Sequence, residues 1–176
     1  MYNMDMKLLA TFKAKDVDLD APDFDYASFK PRSAIRAIVF DGDKVALIYV
    51  KEHGYYMLPG GGLENNEDVH AGLSREIVEE LGCEIVITGE VGCIEVYFDR
   101  WSQRQTDYCY TSNKMGETTE KSLTDFEIKE GHDVVWVEDI QTAIKLVANV
   151  HPKNLDGKLV QARDLLFLKS VEKLDR

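Results

Sequence analysis

Apolar and polar residues alternate first in MKLLATFKAK, residues 6–15, where Met6, Leu8, Ala10 and Phe12 fall on one side; this period of two predicts a strand with one buried face. Residues 16–25, DVDLDAPDFD, carry five aspartates but lack the ordered spacing and central glycine of a calcium loop, so a solvated connection is expected. SAIRAIVF, a DGD turn and KVALIYVKE then predict a β-hairpin over residues 33–52. After the turn HGYYMLPGGG the period lengthens to that of a helix, from near Glu67 to Gly82, with Val69, Leu73, Ile77 and Leu81 as its apolar stripe and a glycine suited to the left-handed residue after a helix. EIVITGEVGCIEVYFDRW (84–101) and TDYCYTS (106–112) predict two more strands, with Gly89 and Gly92 marking a bend or bulge and SQRQ the turn between them. Residues 114–131 are polar and read as a loop, and DVVWVEDI as a short strand. Ile140, Ala143, Ile144 and Val147 mark an amphipathic helix, Pro152 interrupts, and residues 155–174 form a last helix whose apolar face is expected from Leu159, Ala162, Leu165, Leu166 and Leu168. Interspersed strands and helices, without repeat or linker, predict one mixed α/β domain over residues 1–176, with the strand and acidic loop of residues 1–32 packed on or extending it.

Composition narrows the function classes. A chain of 176 residues with 44% hydrophobic content can bury a core without staples. No run is long and apolar enough to span a bilayer, and the opening residues carry no signal-peptide pattern. Cys83, Cys93 and Cys109 are odd in number and without metal-ligand spacing, so reduced core thiols and a cytoplasmic location are expected. A net charge of -11 disfavours nucleic-acid polymers and anionic membranes, while a small phosphorylated substrate stays open if cations locally mask the field.

The helix ending at Gly82 carries the chemistry. At about 100° per residue, Glu76, Glu79 and Glu80 share one arc beside the apolar stripe. Like charges at spacings of three and four repel, by up to about half a kcal/mol per exposed pair. A solvated acidic face tolerates that repulsion; a cation with oxygen ligands turns it into binding, and magnesium suits carboxylates, water and substrate phosphates.

The stretch from Gly60 to Ile85 closely resembles the signature of the Nudix hydrolase family. Gly61, Glu67, Arg75, Glu76, Ile77, Glu79, Glu80 and Gly82 fill the places of that signature, and only Cys83 departs, standing where an aliphatic residue is usual. The resemblance implies a Nudix fold, a mixed β-sheet sandwiched between α-helices. It also implies Mg2+-dependent, or Mn2+-dependent, hydrolysis of a phosphoanhydride in a nucleoside diphosphate linked to another group: a nucleotide sugar, a dinucleotide or a nucleoside triphosphate. Carried over by position, Glu79 and Glu80 would be the principal metal ligands, joined by the Gly60 carbonyl and Glu76. Arg75 would hold a helix glutamate in place, and Glu67 would support the loop beside Gly61. A further acid is expected from the loop before a late Trp-containing strand, where Glu130 stands, with Glu117, Glu120 and Glu127 as competitors; Glu76 and Glu130 are the candidates for general base.

Other residues have an ordinary reading beside a functional one. Arg36, Arg100 and Arg104 are phosphate contacts or surface charge, His132 joins Glu130 or makes an ordinary hydrogen bond, and Tyr97 and Trp101 stack on a base or pack a strand. A Nudix-like sensor that binds such a ligand without cleaving it is the second function class; the complete acidic set favours the enzyme. The absence of proline between Pro59 and Pro152 weakens an ADP-ribose assignment, and a homodimer to which the N-terminal strand contributes fits the family resemblance.

Overall fold

The computed structural model describes residues 6–64 and 66–172, so the last residues of the predicted final helix lie outside it. The elements in order are β1 (Leu8–Phe12), α1 (Ala14–Val17), β2 (Lys30–Asp41), β3 (Lys44–Val50), β4 (Tyr55–Met57), α2 (Val69–Leu81), β5 (Glu84–Phe98), β6 (Gln103–Met115), α3 (Asp125–Glu130), β7 (His132–Val137), α4 (Ile140–Asn149) and α5 (Leu155–Glu172). Among the described residues the strands form one sheet in the order β1-β5-β6-β2-β3-β4, with β7 also on β3. The β1–β5 and β2–β6 pairs are parallel and the others antiparallel, so the sheet is mixed.

Both faces are covered. On one, the predicted stripe Val69, Leu73, Ile77 and Leu81 of α2 packs on Ile35, Ala37 and Val39 of β2; on the other, α4 and α5 pack on Ile38, Leu47 and Val96. Each such large aliphatic side chain contributes about 1.5–3 kcal/mol by leaving water. This is the sandwich of sheet between helices that the family resemblance implied. Cys83, Cys93 and Cys109 are buried free thiols, and no helix of the described residues is long and apolar enough to cross a membrane.

The hairpin positions the rest. β2 and β3 pair only beside the turn, at Phe40↔Val45 and Asp41↔Lys44, and then separate. Into the gap on β2 comes the glycine segment: Ala37 donates its N–H to the Pro59 carbonyl (3.0 Å), Ile35 to Gly61 (2.9 Å), and Leu63 to Ser33 (3.0 Å). The turn is thus held as a pseudo-strand in the middle of the sheet. At Gly60, with φ at 128°, an added Cβ would lie 2.2 Å from the Ile35 carbonyl oxygen, which only glycine avoids.

Several local expectations change. A register shift between Leu8 and Ala10 breaks the alternation in β1: Leu8 is 52% exposed and Leu9 packs on the core instead. α2 starts at Val69 because the Asp68 carboxylate caps it, accepting from the His70 and Ala71 N–H groups. The expected bulges are present, at Ile87/Gly89 and Glu90/Gly92. The turn after β5 is Asp99–Trp101 with Ser102 left-handed, and the strand β6 begins at Gln103, inside the SQRQ that read as a turn. Within the polar loop, α3 is set by a capping box in which Thr124 and Glu127 exchange hydrogen bonds. The buried stripe of α5 holds Leu159, Val160, Arg163, Asp164, Phe167, Leu168 and Val171, one step round from the predicted face, because two of its members are charged.

Candidate active site

The glycine segment and α2 meet at Glu80. This residue is 2% exposed, and its carboxylate accepts the Gly60 N–H at 2.6 Å. Burial pushes the carboxyl up to about 8, against the lowering influence of the Gly60 hydrogen bond and the Arg36 charge. The Gly60 carbonyl accepts from Nη1 of Arg36, which is itself anchored to Asp107 by Nε at 2.9 Å. Arg36, which read in the sequence as a phosphate contact or a surface charge, is buried and braces the turn while also lining the cleft.

Arg75 organises the exposed side of α2. Its Nε and Nη2 donate to the two oxygens of Glu67 at 2.9 and 3.0 Å, Nη1 donates to Glu76 at 2.8 Å and to Glu79 at 3.4 Å, and Nη2 reaches the Gly62 carbonyl at 3.4 Å. Hydrogen bonding to Arg75 holds the Glu67 carboxyl below its ordinary range. Glu76 is shifted the other way, since burial outweighs Arg75, and its carboxylate sits so close to Gly61 that a Cβ there would collide with it at 2.3 Å. Glu79 is the most exposed of the three helix acids, at 38% of its side chain against 12% for Glu76.

A cleft of about 240 Å³ opens above Gly60, Gly61 and Glu80. Its walls include Arg32, Arg36 and Arg100, the aromatic rings of Phe98, Trp101 and Phe126, and the acids Glu127 and Glu130. The segment before α3 is tied over the end of α2: Thr119 donates N–H and hydroxyl to the Gly82 carbonyl at 2.6 and 2.9 Å, and Ser122 donates to the Glu79 carbonyl at 2.8 Å. These bonds satisfy carbonyls that a helix end leaves free, and they fix α3 over the cleft. Glu130 lies 3.3 Å from His53 and 3.6 Å from His132. Oxygen or nitrogen atoms of Glu80, Glu127 and His132 lie within 4.8 Å of one another. Two carboxylates and an imidazole so close make a ligand set suited to a divalent cation.

Beneath the cleft runs a buried charge network. Arg163 donates to Asp107 (3.1 Å) and to both oxygens of Asp164 (2.7 and 3.1 Å); Asp164 accepts the Leu58 N–H at 2.8 Å, and Gln105 donates to both oxygens of Asp107 at 3.0 and 2.9 Å. Burial pulls the Asp107 carboxyl up, but the Arg163 and Arg36 charges outweigh it and hold it low. The chain Arg163–Asp107–Arg36–Gly60 thus fixes the glycine turn from α5 through β6 and β2.

Of the residues singled out in the sequence, Gly60, Gly61, Arg36, Glu80, Glu67, Arg75 and Glu76 gather around the glycine turn. Glu130 stands across the cleft with Glu127 and His132, while Glu117 and Glu120 are exposed and line none of it. Trp101 faces the cleft with Arg100 stacked 4.6 Å above its ring, whereas Tyr97 is covered by Tyr26 and Phe29, with ring centroids 5.1 and 6.0 Å away. Arg32, His53, Gln105, Asp107, Arg163 and Asp164 went unmarked. The one available signal was Arg163 and Asp164 sitting at core positions of an apolar helix.

Fold and site together define a class: an α/β domain with a glycine turn pinned to buried acids beneath a cationic and aromatic cleft. Residues 30–155 match the NUDIX domain model, and the chain belongs to the Nudix hydrolase family. No curated protein matches the chain in sequence. Among solved structures it is similar to the E. coli ORF135 protein (TM-score 0.60, 18% identity, 88% of this chain and 96% of that one). A NUDIX hydrolase from Nitrosomonas europaea aligns with TM-score 0.60 and 18% identity over 83% of this chain and 89% of that one. A UDP-X diphosphatase aligns with TM-score 0.56 and 18% identity over 94% of this chain and 73% of that one. These likenesses support the fold.

Proposed function

We propose that the chain is a divalent-cation-dependent pyrophosphohydrolase that cleaves the phosphoanhydride of a nucleoside diphosphate linked to a second group, acting in the cytoplasm as a single domain. The observation that carries this reading is the buried Glu80 carboxylate pinned to Gly60 beside Glu76, at the floor of an open cleft. Glu76, Glu79, Glu80 and the Gly60 carbonyl would hold Mg2+ or Mn2+. Such an ion, when bound, draws charge from phosphate oxygens and lowers the pKa of a coordinated water.

The chain's own residues supply the remainder. Arg32 has no carboxylate within 4 Å among the described residues and faces the cleft, which suits a non-bridging phosphate oxygen. Trp101, Phe98 and Phe126 offer faces and edges for a base. Arg75 keeps Glu76 and Glu67 in place, and Glu76 or Glu130 takes the proton of the attacking water.

The test is a panel of nucleotide sugars, dinucleotides and nucleoside triphosphates with Mg2+ in oxygen-18 water, read by mass spectrometry, so that the label also reports which phosphorus is attacked. Glu79→Gln and Glu80→Gln should each reduce turnover by about a hundredfold or more with the fold retained. Near-wild-type turnover in both would overturn the assignment, and tight binding without any cleavage would leave a sensor.

A further inference from the structure

His132 is the first residue of β7 and follows Gly131, which ends α3 in the left-handed conformation at φ 70°. Its side chain is 7% exposed, and among the described residues neither ring nitrogen has a hydrogen-bond partner. Glu130 at 3.6 Å is beyond hydrogen-bond range. A buried imidazole without a hydrogen bond costs desolvation energy that a carboxylate at 3.6 Å offsets only in part, so it calls for a partner. The groups that share its space are carboxylates: Glu130 at 3.6 Å, and Glu80 and Glu127, whose oxygens lie within 4.8 Å of a ring nitrogen and of each other.

Each of the three comes from a different, fixed element. Glu80 is held on α2 by the Gly60 N–H. Glu127 is held on α3 through one oxygen, Oε2, which accepts from the Thr124 N–H (2.6 Å) and hydroxyl (2.8 Å), leaving Oε1 free of the cap. His132 is held on β7 by pairing with Val50 of β3.

We propose that Glu80, Glu127 and His132, all of which line the cleft, form a mixed oxygen and nitrogen site for a first-row transition divalent cation, Mn2+ in preference to Mg2+. The proposal rests on the preceding functional reading only in sharing Glu80. Imidazole suits the transition metals, whereas Mg2+ takes carboxylate and water oxygen almost alone, so a histidine ligand tilts the site toward Mn2+. Two anionic oxygens and one nitrogen leave positions open for water or a phosphate oxygen.

The probe is Mn2+ alone, bound to the full chain and read by electron spin-echo envelope modulation, which detects nitrogen-14 bonded directly to the ion. Wild type should show imidazole modulation, and His132→Gln should lose it and weaken Mn2+ binding by about tenfold or more, the scale on which even supporting groups of metal sites act, while Mg2+ affinity changes little. A chain with His53, His70 and His151 all replaced by Gln keeps His132 as its sole histidine and should retain the modulation, which tests the assignment without touching His132. Bound Mn2+ without nitrogen modulation in wild type, or modulation that survives His132→Gln, overturns the proposal and leaves the carboxylate-only reading standing. Failure of the chain to bind either cation would overturn both.

Discussion

Replacing Glu80 with glutamine should stabilise the metal-free protein. A carboxyl whose pKa is raised in the folded state holds its proton more tightly there than in the unfolded chain. The stability it supports is therefore complete below pH 4.5 and is lost as pH rises through about 8. At pH 7 the unfolded chain sits 2.5 pH units above the ordinary value of 4.5, and at about 1.36 kcal/mol per unit the penalty of keeping Glu80 buried is about 3 kcal/mol; at pH 5 it falls to about 1 kcal/mol. Glutamine has no proton to exchange, its amide oxygen can accept the Gly60 N–H, and its amide N–H groups find Glu127 and His132 within 4.8 Å. In EDTA, Glu80→Gln should melt higher than wild type at pH 7, by about 6–12 °C if the whole penalty is relieved, and the gap should shrink to about 2–4 °C at pH 5. Mg2+ or Mn2+ at about 1,000 times its Kd should reverse the order, because only wild type gains the roughly 4.1 kcal/mol that such an excess of ligand supplies. Thermal melts across pH 5–9, with and without metal, decide it: a variant with the same pH slope as wild type in EDTA would refute the claim that this burial is costly.

Gly60→Ala forces a Cβ to 2.2 Å from the Ile35 oxygen and should reduce turnover by more than tenfold and lower Tm, read by activity and calorimetry. Arg75→Lys keeps the charge but loses the paired bonds to Glu67, so the melting temperature and kcat should both fall, by about 1–3 kcal/mol in stability by urea unfolding. Asp107→Asn leaves Arg163 under-neutralised in the interior and should cost about 3–5 kcal/mol at pH 7. Since the Asp107 carboxyl is held below its usual 3.8, the stability it supplies is present above that value and is lost as pH falls further, so wild type and variant should converge in acid titrations below about pH 4.

What the sequence disclosed follows from how local each signal is. The α2 stripe, its Gly82 stop and the acidic arc are set by spacing within one helix, and all appear as read. The hairpin was legible for the same reason, but its splaying was not, because the glycine segment that fills the gap pairs with β2 across a separation in sequence that no local pattern encodes. α3 was legible in principle: TDFE is a capping-box sequence, overlooked because the segment around it is polar. Arg163 and Asp164 mislead any apolar-face count, since charges enter a core only with partners, and those partners, Asp107 and the Leu58 N–H, lie on distant strands and turns. Likewise His132 becomes informative only once folding brings Glu80 and Glu127 beside it.

The electrostatics of the site can be followed by asking which carboxylates receive a full cationic partner. Arg163 and Arg36 neutralise Asp107, with Asp164 closed on Arg163, and Arg75 is bidentate on Glu67. Each of these acids lies away from the mouth of the cleft or at its edge. Among the described residues Glu80, the most deeply buried of the box glutamates, has only a backbone N–H, Glu127 has only its own cap, and Glu76 shares one guanidinium nitrogen with Glu79. The fold thus gives full cationic partners to Asp107, Asp164 and Glu67, and leaves Glu80 and Glu127, which line the cleft, without one among the described residues. Such an arrangement raises the cost of the metal-free state in the pH range where a divalent cation binds carboxylates best, so the stabilisation conferred by the cation should grow with pH along the same curve on which the metal-free protein weakens.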